Sequence, residues 1–116
     1  VNDFEAVAHA ANYMVGNQVL QLSGPPQGAP GPALILGPGT GLGAALWIPN
    51  GATPVVLPTE AGHAALAAAS DLEVALLQEL RRTRTHVATE HLLSGPGLLN
   101  LYTALAALRG VPALHA

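Results

Sequence analysis

The sequence predicts an α/β protein, a short β-sheet with helices, and three observations carry that prediction. Residues 33–50 read as an apolar run, a glycine-rich loop and a second apolar run, ALILG, PGTGLG and AALWIPN, and another β-like run follows at 53–57. Three further stretches repeat their apolar residues at i, i+3, i+4 and i+7, the period of a helix with one buried face. Half of the residues are apolar and 9% are charged, which supplies a core and excludes a disordered chain.

A chain of 116 residues makes one domain or part of one. Its only cations are Arg81, Arg82, Arg84 and Arg109, and a net charge of −3 without a basic patch argues against nucleic acid as the partner. The absence of cysteine removes disulfides, thiolate nucleophiles and cysteine-held zinc together, and predicts a cytoplasmic protein. No Asp, Glu, Lys or Arg lies between Glu5 and Glu60, yet glycines and prolines interrupt that stretch. No apolar run approaches the roughly 18 residues of a membrane span, so no membrane contact is expected. No leader peptide is visible at Val1, and the chain reads equally as a fragment.

In order, Phe4 to Val15 reads as the first helix, with Phe4, Val7, Ala8, Ala11 and Met14 or Val15 on one face. Asn2 with Glu5 fits a capping box, and Gly16 is placed to stop the helix. Residues 21–32, QLSGPPQGAPGP, are a surface loop by composition. Thr53 to Leu57 is the third strand, ending at Pro58 before the polar corner Thr59-Glu60-Ala61-Gly62-His63. Ser70 with Glu73 is a second capping box, opening a helix from Asp71 to about Arg84 with Leu72, Ala75, Leu76 and Leu80 buried, Val74 and Leu77 beside them, and the arginines in its last turn. Thr89 to Leu93 is a short helical turn. Pro96 then opens a last helix whose face is Leu98, Leu101, Tyr102, Leu105 and Leu108, assigned to core packing rather than to a contact surface, and Gly110 and Pro112 stop it.

The glycine loop nearly satisfies GxGxxG, but that dinucleotide fingerprint needs a helix directly after it, and here Ala44 to Ile48 leads to the Pro49-Asn50-Gly51 turn and another strand. A hairpin with glycines and a hydroxyl at its tip fits instead the phosphate loop of an actin-like or hexokinase-like ATPase domain. By itself the loop is equally a tight turn without a ligand. Asn2 and Asp3 are likewise helix-capping residues when read alone, and Glu60 and His63 a solvated loop at a strand exit, where α/β proteins carry chemistry.

Four segments in register resemble the bacterial glucokinases: NDFEA at 2–6, GPGTGLG at 37–43, TEAGH at 59–63 and LSGPGLLNLY at 93–102. The resemblance covers nearly the whole chain and implies part of an actin-like ATPase (ribonuclease H-like) fold, residues 1–116 forming a single partial domain. It also implies that an amino-terminal lobe with the first phosphate loop and a later adenosine-binding segment belong to the parent and not to this piece, which alone is expected to be inactive. The implied activity is ATP-dependent phosphorylation of glucose, or a related hexose, at the 6-hydroxyl.

By that resemblance Asp3 is the catalytic base, and Asn2, Asp3, Glu60, His63 and Glu90 contact the sugar. Gly39, Thr40 and Gly41 hold phosphate, Mg²⁺ accompanies ATP, and no residue is assigned as a metal ligand. A homodimer through the large domain is implied as well. Such residue types suit the chemistry, since a hexose presents a ring of hydroxyls and each carboxylate accepts two hydrogen bonds. Two departures stand out: Ala61 replaces a family glycine at the corner, and Ala88 replaces a serine, with Thr89 beside it as an alternative helix cap. A sugar-binding homologue without catalysis and a kinase for another hexose are the competing readings.

Overall fold

The computed structural model describes residues 3–11, 13–14, 16–25 and 31–114. These divide into two compact units, the first comprising residues 1–37 and 44–59, the second 38–43 and 60–116. Among the described residues no helix is long and apolar enough to cross a membrane.

The first unit contains helix α1 (Asp3–Ala11) and most of a three-stranded sheet, β1 (Ala33–Pro38), β2 (Leu42–Ile48) and β3 (Val55–Thr59), in the order β1-β2-β3. Strands β2 and β3 are antiparallel, with Leu46 opposite Leu57 and Ala44 opposite Thr59. Helix α1 packs on β3, and the interior is built from small residues, Ala8, Ala44 and Ala45 all being buried. Phe4 lies so close to Gly37 that a side chain there would overlap its ring.

Helix α1 is shorter than its periodicity predicts. Tyr13 and Met14 donate to the carbonyls of Ala10 and Ala11, three residues back, so the chain tightens and leaves the α-helix before Gly16. Val7 is exposed rather than buried. Asn2 of the expected capping box, Asn12 and Val15 lie outside the described residues. The third strand runs two residues later than predicted and includes Pro58, which pairs with Ala45. Proline is tolerated because β3 is an edge strand, with a ladder to satisfy on one side only.

The second unit is built on helices α2 (Asp71–Leu80) and α3 (Gly95–Leu108), which pack together around Leu76, Leu80, Val87, Leu92 and Ala104. The Ser70–Glu73 capping box is present: Ser70 Oγ accepts from the Glu73 N–H, and the Glu73 carboxylate accepts from the N–H groups of Ala69 and Ser70 at 2.7 and 3.0 Å. Those donated hydrogen bonds, led by the one from Ala69, hold the Glu73 carboxyl below its ordinary value. A depressed carboxyl adds stability above the unfolded-state value and loses it as pH falls through the folded one. Glu73→Gln is therefore expected to lower the melting temperature of the full-length protein at neutral pH and to converge with wild type on acidification below the ordinary carboxylate range. Thermal melts across pH check this, and a pH-independent difference would contradict it.

Helix α2 ends at Leu80, four residues before the predicted stop, so Arg81, Arg82 and Arg84 lie beyond it and not in its last turn. Arg82 and Thr83 turn to bonds three residues back, and the Thr83 hydroxyl reaches the Leu80 carbonyl, competing with helical continuation. Leu72 and Val74 are exposed, while Leu76 and Leu80 are buried.

Helix α3 opens on Ser94, whose Oγ accepts from the Gly97 N–H. It closes as predicted: Gly110, at φ +64°, donates to Ala107, and Val111 donates to Ala106, which together satisfy the last carbonyls. Its predicted core face is only partly right. Leu101 and Leu105 pack on the core, but Leu98, Tyr102 and Leu108 are exposed, and Ala104 and Ala106 are buried in their place. Ala104 packs with Leu76 and Leu80 of α2, where a small residue permits close helix approach.

Candidate functional site

Within the second unit, a short ribbon joins two segments that are distant in sequence. Leu66 N–H donates to Val87 O at 2.9 Å, Thr89 N–H donates to Ala64 O at 2.9 Å, and Ala65 bridges Ala88. Two single-turn 3₁₀ helices flank this ribbon, Ala61–His63 and Thr89–His91, and they contact each other. Glu60 immediately precedes the first without capping it through its side chain, His63 ends it, and Glu90 sits in the middle of the second. Thr89 does not cap its turn; its hydroxyl donates across the ribbon to Ala64 O at 3.1 Å. The cap acceptor is His91, whose Nδ1 takes the Ala88 N–H at 3.0 Å.

The ribbon brings Glu60, His63 and Glu90 onto one imidazole. Glu90 Oε1 stands 3.2 Å from His63 Nε2, and Glu60 Oε2 stands 3.8 Å from Nδ1. A carboxylate only accepts, so Glu90 places a proton on Nε2; in the neutral ring Nδ1 is then an acceptor directed towards the Glu60 side. Glu90 is the anchored member, its side chain 25% exposed against 64% for His63 and 79% for Glu60. The two carboxylates and the ring Nδ1 are three acceptor groups in one place, which can engage adjacent hydroxyls of a polyol.

The glycine loop belongs to this unit. Gly39 N–H donates to Gly41 O at 2.8 Å, and the Gly39 carbonyl accepts from Gly95 N–H, at the start of α3, at 2.7 Å. Leu42 N–H points at Glu90 Oε2, 3.4 Å away. Gly62, next to His63, has no room for a side chain, because a Cβ would overlap the Leu42 carbonyl. Thr40 is exposed at the loop tip.

Fit to a phosphate can be judged from these donors. The Gly39 N–H is committed inside the loop, and the first turn of α3 is satisfied by Gly39 O and Ser94 Oγ. Open space remains over Gly39, where a Cβ would meet nothing within 4 Å, beside the exposed Thr40 hydroxyl. The loop tip thus has space and a hydroxyl for a phosphate group. Among the described residues no group of three His, Asp or Glu could cage a metal ion.

Asp3 opens α1 in the first unit and is exposed, and Asn2 lies outside the described residues. Ala61 is accommodated where a glycine was expected, since no described non-glycine residue has positive φ; the glycine that the corner needs is Gly62. Sequence reasoning missed the supports of the cluster. Ser94 is buried, and its hydroxyl donates to the Glu90 carbonyl at 2.7 Å while capping α3, and Asn100 Nδ2 donates to the His91 carbonyl at 2.9 Å. The Ser-x-x-Gly spacing at 94–97 was the available signal for the cap. Nothing local signalled the Leu42 contact, 48 residues from Glu90.

The glucokinase family matches residues 1–116. A glucokinase-like protein of Xylella fastidiosa strain 9a5c is 58% identical over 116 residues, which is 100% of this chain and 35% of that protein. The crystal structure of a glucokinase from an Antarctic psychrotroph superposes with a TM-score of 0.89 at 41% identity, covering 100% of this chain and 36% of the other. A glucokinase from Balamuthia mandrillaris, solved in complex with glucose, gives a TM-score of 0.63 at 25% identity over 82% of this chain and 26% of its own. The chain belongs to the glucokinase family, and its small sheet with helices is part of that fold. It spans about a third of the length of the curated relatives it matches, 35% of the Xylella protein.

Proposed function

We propose that the full-length protein transfers the γ-phosphoryl group of ATP to the 6-hydroxyl of glucose. The observation that carries this reading is the convergence of Glu60, His63 and Glu90 on one imidazole, in a chain that belongs to the glucokinase family. The glucose bound to the Balamuthia relative supports the choice of sugar. Glu60, His63 and Glu90 take ring hydroxyls, joined by Asn2 and Asp3. Leaving such groups unpaired when a hydroxyl is inverted or missing is what discriminates among hexoses.

Phosphoryl transfer asks the protein to position and neutralise rather than to form bonds of its own. Asp3 accepts the proton of the 6-hydroxyl as that oxygen bonds to the γ-phosphorus and the bond to the β-phosphate oxygen breaks, releasing ADP. The tip Gly39-Thr40-Gly41 holds phosphate through the Thr40 hydroxyl and backbone. Mg²⁺, when bound, spreads the charge of the phosphate oxygens.

A coupled assay of the full-length protein with glucose, ATP and Mg²⁺ tests the proposal. Formation of glucose 6-phosphate at about 1–100 per second, the range of ordinary kinases, is the expected result. Glucose binding by calorimetry without turnover would select the non-catalytic sugar-binding reading, and faster turnover of another hexose would reassign the substrate.

A further inference from the structure

We propose that Gly41 and Leu42 are positioning residues for Glu90: the missing side chain at 41 and the N–H of 42 seat the Glu90 carboxylate so that its other oxygen meets His63. This rests on Glu90 being a sugar ligand, and it gives the glycine loop a task other than holding phosphate.

The two oxygens of Glu90 face different partners, Oε2 the Leu42 N–H at 3.4 Å and Oε1 the His63 Nε2 at 3.2 Å. A Cβ added at Gly41 would stand 2.8 Å from Glu90 Oε2, well inside contact distance. What must yield there is the end of a flexible side chain and not backbone, so the added methyl displaces the carboxylate and leaves the fold in place. The loop cannot retreat instead. Gly39 is tied to Gly41 and to Gly95 through its N–H and carbonyl, and Leu42 is backed against Gly62, its Cβ only 3.1 Å from the point that a methyl at 62 would occupy. Neither Gly39 nor Gly41 has positive φ, so alanine suits the backbone at both. Only their surroundings differ: at Gly39 an added methyl meets nothing within 4 Å.

Two single-methyl substitutions in the full-length protein therefore separate displacement of the carboxylate from a general disturbance of the loop. Glucose affinity is measured by calorimetry without nucleotide. Gly41→Ala is expected to raise the glucose Kd about tenfold or more, the loss that follows from misplacing a charge-assisted hydrogen-bonding group. Gly39→Ala keeps the glucose Kd within about twofold. In a Glu90→Ala background, Gly41→Ala adds nothing, because there is no carboxylate left to displace.

Equal glucose losses from the two glycine variants, an additive loss in the Glu90→Ala background, or an unchanged glucose Kd in Gly41→Ala would each overturn the proposal. So would a melting temperature for Gly41→Ala far below that of Gly39→Ala, which would mean that backbone gave way. Wild-type protein that binds no glucose overturns the kinase reading as well. Wild type that binds, a Glu90→Ala that weakens and a silent Gly41→Ala overturn the seating alone.

Discussion

Asp3→Asn in the full-length protein is expected to lower kcat by about 10² to 10⁴-fold, the usual contribution of a positioned general base, while glucose affinity stays within a few fold. The amide is nearly the same size and still hydrogen-bonds a hydroxyl, but it cannot take the proton. The competing reading is that Asp3, the first residue of α1, is present only because a negative charge suits a helix N-terminus. That reading predicts a different split: a loss of about 0.3 to 1 kcal/mol in stability and nearly unchanged turnover. Steady-state kinetics and a thermal melt on the same preparation distinguish the two. Retention of more than about a tenth of kcat would make Asp3 a helix-terminal residue and nothing more.

Glu90→Gln is expected to weaken glucose binding by about 1.5 to 3 kcal/mol, the range for hydrogen bonds to charged groups, with nucleotide binding nearly unchanged. The reason lies in the two partners of the carboxylate. An amide offers one oxygen and one NH₂, so it cannot accept from both the Leu42 N–H and His63 Nε2. One donor is left facing another donor, and the imidazole loses the partner that sets its tautomer. Glu60→Gln should cost less, since Glu60 is the more exposed carboxylate and stands farther from the ring, at 3.8 Å against 3.2 Å. Calorimetric titration with glucose checks both. Equal loss of sugar and nucleotide affinity would instead mean that the substitution damages the fold.

Much of the local structure was legible because its signals lie within one turn of chain. Ser70 and Glu73 are three residues apart, and both halves of their capping box form. The glycine loop reads as a hairpin because Leu42 to Ile48 leads back along the sheet instead of into a helix. Gly110 ends α3 through a backbone conformation that few other residues adopt. Where periodicity failed, it did so at ends and edges. Leu72 keeps helical spacing with buried Leu76, and Leu98 with half-buried Leu101 and Leu105, yet both are exposed, because spacing defines a face but not how wide a face the neighbouring helix covers.

The sequence by itself determined the element types, their order, the glycine hairpin and the set of polar residues worth testing. It could do so because capping, turn and periodicity preferences are local, and because several motifs in register mark a family. Only the tertiary structure decided that Glu60, His63 and Glu90 share one imidazole. Their meeting depends on a ribbon in which Thr89 reaches Ala64, 25 residues earlier, and on a loop contact spanning 48 residues from Leu42 to Glu90. Nor could the sequence say which glycines the site requires. Gly62 and Gly41 lack side chains because of what approaches them, the Leu42 carbonyl and the Glu90 carboxylate, and those approaches exist only once the chain has folded.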